Sequence, residues 1–110
     1  MNSDNSKSGE RCFRKVAATS DIRPGTGKTV VVDQEEIAVF NFNGGFYAMS
    51  DICPHRGAPL AEGFLDAGKV FCSWHCFDFN LKTGECTVVP SLSVQIYEVK
   101  VEGDEVFVLC

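Results

Sequence analysis

Cys53-Pro54-His55 and Cys72-Ser73-Trp74-His75 each place one thiol and one imidazole in a short stretch, and sixteen residues lie between His55 and Cys72. Sulfur and imidazole nitrogen suit a transition metal, whereas calcium and magnesium take oxygen ligands. Zinc held by two Cys and two His ordinarily comes with like ligands grouped, a Cys pair followed by a His pair. Here the ligand types are mixed within each stretch. A 2Fe-2S centre with two Cys on one iron and two His on the other fits that mixture, because each iron draws one ligand from each loop. On the residues alone, a zinc-stabilised interaction module is the other reading.

These ligands need rigid supports, and the supports read as short strands. No stretch keeps a helical period long enough for a helix of ordinary length. Residues 11–16 suit a first strand, followed by a loop at Asp21-Ile22-Arg23-Pro24-Gly25-Thr26-Gly27. Residues 29–32 and 37–42 form a hairpin through Asp33-Gln34-Glu35, and Asn43-Gly44-Gly45 turns the chain into a strand at 46–49. Between the two ligand stretches, residues 64–65 and 69–71 flank Asp66-Ala67-Gly68 as strand, turn, strand. Residues 77–81, the turn Lys82-Thr83-Gly84-Glu85 and a strand at 86–89 follow, running to Pro90. Tyr97, Val99 and Val101 alternate with Glu98, Lys100 and Glu102 as one half-buried strand, and Gly103-Asp104 turns into a last strand at 105–109. The expected fold class is all-β, with about ten short strands.

With 110 residues the chain makes one domain with a modest core. Residues 1–10 hold almost nothing to bury and are expected to be a flexible polar tail, leaving 11–110 as the folded domain. The net charge of −5 argues against nucleic acid and allows steering toward a basic partner. No apolar run is long enough to span a membrane, and the basic-then-apolar pattern of an export leader is missing. A cytoplasmic protein without a membrane partner is the expectation. In that setting six cysteines point to metal binding rather than to a disulfide framework.

The pair Cys53-x-His55 and Cys72-x-x-His75 resembles the pattern of the Rieske ferredoxin family, and the resemblance runs from about Cys12 to Leu109. It implies a Rieske fold, a small barrel-like base carrying a hairpin subdomain that binds one 2Fe-2S cluster. Cys53 and Cys72 would be thiolate ligands of the buried iron, and His55 and His75 neutral imidazole ligands of the outer one. The histidine edge would be the docking face, with Arg56 on its rim. Pro90 resembles the proline of a third loop that covers the cluster. The implied function is one-electron transfer from a flavin-dependent reductase to a terminal enzyme such as an aromatic-ring dioxygenase. The alternative is the small subunit of an assimilatory NAD(P)H nitrite reductase. Autonomous catalysis is not expected, because a terminal oxygenase needs a second iron held by two further histidines, and His55 and His75 are the only two present.

Departures from the pattern narrow the expectation to a low-potential carrier. High-potential members join the two ligand loops by a disulfide at places held here by Ala58 and Trp74, and set Ser and Tyr hydroxyls against cluster sulfurs where Phe77 and Phe79 stand. Phe donates no hydrogen bond, so the sulfurs stay electron-rich. Cys76 replaces a glycine common in the family. Cys76, Cys12, Cys86 and Cys110 are expected to be small buried or incidental thiols.

Overall fold

The computed structural model describes residues 11–53, 59–72, 77–89 and 91–110, which hold ten strands and two single-turn 3-10 helices. The all-β expectation is met. Strands β2 (Thr26–Val32), β3 (Glu35–Phe42) and β4 (Gly45–Ser50) form an antiparallel meander, with Val32 opposite Glu35 and Phe42 opposite Gly45. Its two turns are therefore two residues long. Asp33, Gln34, Asn43 and Gly44 all have positive φ, the primed-turn geometry whose twist matches that of the flanking strands. Gly45, expected in the turn, instead opens β4.

β1 (Phe13–Ala18), β9 (Val99–Glu102) and β10 (Glu105–Leu109) make a three-stranded sheet in the order β1-β10-β9. β8 (Ile96–Tyr97) extends the meander to a four-stranded sheet, β2-β3-β4-β8. A third sheet contains β5 (Phe64–Asp66), β6 (Lys69–Phe71) and β7 (Asp78–Asn80). These sheets are not closed into one barrel.

The four-stranded sheet divides the core because it is buried on both faces. Period-two alternation sends Ile37 and Val39 of β3 to one side and Ala38 and Phe40 to the other, and none of the four is exposed. Ile37, Val39 and Ala48 pack with Val106, Val108 and Tyr97 in one cluster. Ala38, Phe40 and Met49 pack with Cys53, Leu60, Val70, Cys72, Phe79, Leu81 and Cys86 in the other. The candidate thiol ligands thus share the second core, between the meander and the hairpin sheet.

Two expected strands differ. Residues 96–102 do not form one strand: Tyr97 pairs with Ala48 in the four-stranded sheet, whereas Val99 pairs with Val108 in the three-stranded one. Tyr97 is buried but Val101 is 44% exposed, since the chain changes sheet at Glu98 and the face that was inward ends in solvent. Residues 86–89 form no regular strand either. Cys86 makes a single bridge to Phe79, and the Val89 N–H donates to the Cys86 Sγ at 3.4 Å.

Candidate metal centre

Cys53 follows β4 by three residues, and the segment around it is closed at its neck by backbone pairing. The Leu60 N–H donates to the Asp51 carbonyl at 2.6 Å, and Ile52 bridges Pro59. Asp51 reinforces the closure with its side chain: Oδ1 accepts from the Ala61 N–H at 2.9 Å, and Oδ2 from the Thr29 hydroxyl at 2.9 Å. Its own N–H donates to the Glu36 carbonyl at 3.0 Å. One buried carboxylate therefore ties β4, β2 and the 3-10 turn Leu60–Glu62 together just before Cys53.

The second neck lies at the end of the β6–β7 pair. Phe71 stands opposite Asp78, and the Cys72 N–H donates to the Phe77 carbonyl at 2.8 Å. Cys53 and Cys72 are each 1% exposed and belong to the same apolar cluster. No disulfide joins any of the five described cysteines. Two thiols at two loop necks, brought into one dry core, form the soft donor set that a thiolate-bound iron requires. His55, His75, Arg56, Ala58, Trp74, Cys76 and Pro90 lie outside the described residues, as do residues 1–10.

Phe79 is fully buried in the cluster with both thiols, and Phe77 packs against it half-buried. The positions identified as lacking a hydroxyl donor are thus inside the candidate site. Cys86 is a third buried thiol in the same cluster, which composition and spacing did not place there.

Residues 86–89, together with Leu92, form a strap along the hairpin sheet. The Cys86 N–H donates to the Leu92 carbonyl at 3.1 Å, and the Leu92 N–H to the Val89 carbonyl at 2.8 Å. Asp78 anchors it. The Thr87 hydroxyl lies 2.6 Å from both Asp78 carboxylate oxygens, the Thr87 N–H donates at 3.2 Å, and Lys69 Nζ lies at 3.5 Å. Strand alternation between Phe77 and Phe79 would have pointed Asp78 to water. The strap covers that face, leaving Asp78 buried.

The Thr87 hydroxyl, then its N–H and the Lys69 charge, outweigh burial and hold the Asp78 pKa below the ordinary carboxylate value. A depressed folded-state pKa contributes stability that is complete above the unfolded value, about 3.9, and disappears as pH falls through the lower folded value. Asp78→Asn is expected to destabilise the protein by about 1–3 kcal/mol at pH 7. Its deficit relative to the parent should narrow as pH falls below about 4. Urea midpoints across that range check this, and a deficit independent of pH would remove the charge from the account.

Comparison with known proteins identifies a family. The profile of the Rieske 2Fe-2S domain matches residues 12–108. The biphenyl dioxygenase ferredoxin subunit of Pseudomonas sp. strain KKS102 is 34% identical over 87% of the chain and 90% of its own length. Human apoptosis-inducing factor 3 is 36% identical over 84% of the chain, which spans only 16% of that protein. Among solved structures, the ferredoxin of carbazole 1,9a-dioxygenase from Nocardioides aromaticivorans IC177 superposes with a TM-score of 0.80 at 32% identity, covering 87% of this chain and 95% of that one. A Mycobacterium tuberculosis protein assigned as an NADH-dependent nitrite reductase small subunit superposes at 0.85 with 25% identity, covering 92% and 96%.

Proposed function

Because the chain belongs to the Rieske 2Fe-2S domain family, we propose that it is a one-electron carrier serving a multicomponent oxygenase of the aromatic-ring dioxygenase kind. It receives the electron from a flavin-dependent reductase and passes it to the terminal enzyme. The observation that carries this reading is the burial of Cys53 and Cys72 at two loop necks in a single apolar core. On this reading Cys53 and Cys72 would hold one iron and His55 and His75 the other. The bound cluster supplies a reversible one-electron couple, whose potential is raised by imidazole ligation relative to an all-thiolate centre.

The chain's own residues position and insulate that couple. Asp51 and the Cys72–Phe77 hydrogen bond fix the loop necks, while Phe79, Leu60 and Val70 exclude water from the thiol side. Apolar side chains near the necks stay in solvent. Ile52 precedes Cys53, and Phe64 stacks on Phe71, the residue before Cys72, at 4.8 Å between ring centroids. Val88 extends from the strap. Such a rim suits brief docking of redox partners, whose contacts are small. No described helix is long and apolar enough to cross a membrane, and we place the carrier in the cytoplasm with no catalytic step of its own.

Phe77 and Phe79 set the potential low. We expect a value near the bottom of the Rieske range, about −150 mV. Phe79→Tyr adds a hydroxyl beside the buried sulfurs and is expected to raise it by tens of millivolts, about 59 mV corresponding to about 1.4 kcal/mol for one electron. Protein-film voltammetry measures both, and a parent value near +300 mV would contradict the hydrogen-bond argument.

The function is tested by reconstitution. The purified protein is expected to contain iron and acid-labile sulfide in equal amounts and to support turnover of an aromatic-ring oxygenase with NADH and its flavin reductase. Zinc without sulfide would end the reading. The structural likeness to the nitrite reductase small subunit favours one alternative, a subunit of an assimilatory NAD(P)H nitrite reductase. Stable co-purification with a sirohaem enzyme, together with no oxygenase turnover, would select it.

A further inference from the structure

Cys12 and Cys110 face each other where the β1–β10 ladder continues beyond Phe13 and Leu109. The Cys12 N–H donates to the Cys110 carbonyl at 3.4 Å, and the Cys110 N–H donates back to the Cys12 carbonyl at 3.2 Å. Residues that exchange both hydrogen bonds are directly opposed in an antiparallel ladder, and their Cβ atoms leave the same face. Such pairs have Cα atoms about 5.5 Å apart, within the range of about 4.4–6.8 Å that disulfides span. Their Cβ atoms stand somewhat wider than a relaxed disulfide prefers. A bond formed here would carry strain, the property of a readily reduced disulfide rather than a permanent one.

The surroundings give the two thiols different roles. Cys12 is exposed, whereas Cys110 is half-buried against the cluster of Val106, Val108 and Ile37. Burial pushes the Cys110 thiol pKa up. Arg14, two residues along β1, interacts with the Cys12 side chain and pairs with Asp33 at 3.0 Å. The four-stranded sheet separates this core from the one that holds Cys53 and Cys72, so chemistry at one pair need not involve the other.

We propose that Cys12 and Cys110 form a reversible cross-strand dithiol–disulfide couple, oxidised by low-molecular-weight disulfides of the glutathione type. The Cys12 thiolate attacks the small disulfide, whose S–S bond breaks and releases one thiolate. The Cys110 thiolate then attacks Cys12 in the mixed disulfide and displaces the second. Two protein thiols lose two electrons, one small disulfide gains them, and the two protons leave with the two released thiols. The product ties β1 to β10, the strands that hold the three-stranded sheet together. This goes beyond the electron-carrier reading and does not depend on it.

The test uses the cluster-loaded protein equilibrated in glutathione buffers of graded oxidised fraction, then alkylated and mapped by mass spectrometry, with cluster absorbance recorded throughout. The expected product is a Cys12–Cys110 linked peptide, about 2 Da lighter than the two thiols, that disappears on reduction. The oxidised protein should also melt several degrees higher, because a very long loop is closed in the unfolded chain. Cys110→Ser should instead accumulate glutathione on Cys12, and Cys12→Ser should accumulate neither product. Persistence of the mixed disulfide in the parent protein would overturn the proposal. So would a cross-link solely between chains, or failure of either thiol to react while the cluster absorbance stays intact.

Discussion

Cys53→Ser, Cys72→Ser, His55→Ala and His75→Ala, made singly, are each expected to give protein that has lost the visible absorbance and the reduced-state EPR signal of a Rieske centre. A hydroxyl is a hard, weakly acidic donor and a poor replacement for thiolate at iron, while deleting an imidazole leaves a coordination position open to water. Metal binding contributes to folding wherever a site holds its ligands in place only in the native state. The cysteine variants should therefore also melt well below the parent, since Cys53 and Cys72 are packed into the core rather than displayed on it. Cys86→Ser is the sharpest control. Cys86 is as buried as the two proposed ligands and lies in the same cluster, yet its sulfur accepts the Val89 N–H in the strap. That variant should keep its cluster, as should Cys12→Ser and Cys110→Ser. Iron, sulfide and EPR measurements decide the matter, and retention of the cluster by Cys53→Ser with its loss in Cys86→Ser would reassign the ligand set.

Gly84→Ala should destabilise the fold far more than Gly44→Ala, although both glycines have φ near +80°. At Gly44 a Cβ would meet nothing within 4 Å, so alanine suffers only the left-handed backbone strain, about 1 kcal/mol. At Gly84 the Cβ would collide with the Val94 carbonyl oxygen and stand 3.0 Å from the Ile96 side chain. The carbonyl cannot retreat freely, because the Val94 N–H donates to the Gly84 carbonyl at 3.0 Å and the Gly84 N–H to the Asn80 carbonyl at 2.7 Å. Strain and overpacking together should cost about 3 kcal/mol or more, which lowers Tm by at least about 10 °C in a domain of this size. Thermal melts of the loaded protein read the difference. Equal shifts for the two variants would mean that the segment carrying Val94 and Ile96 yields to the added methyl group.

What could be read from the sequence is what local chemistry determines alone. Asn43-Gly44 and Gly68 marked two of the hairpins, because Gly and Asn are the residues that most readily take the positive φ those turns need. The Cys spacing picked out Cys53 and Cys72, which the fold brings into one core, while the matching His55 and His75 lie outside the described residues. Gly27 misleads, since beside Gly25 its sequence context is that of a loop. It lies within β2, where a Cβ would come 2.6 Å from the Phe40 ring, so it serves close packing and not a bend. The change of sheet at Glu98 was hidden because alternation repeats every two residues whichever sheet the strand joins. Asp51 and Asp78 were missed for a related reason. A lone carboxylate looks solvated until the distant groups that cover it, Ala61 and Thr29 for one and Thr87 for the other, are known.

The pairing of β1 with β10 joins Phe13 to Leu109, and it sets an order on the birth of the molecule. On the ribosome the meander β2-β3-β4 can form as soon as its residues emerge, since each strand meets its neighbour across two residues. Among the described residues, β1 has no strand partner in its sheet until Glu105–Leu109 has left the exit tunnel. At synthesis rates of about 5–20 residues per second, it waits several seconds with its backbone donors and acceptors open to other chains. Its sequence guards that interval: Arg14 and Lys15 put two positive charges in the strand, and like charges on neighbouring nascent copies oppose their edge-to-edge association.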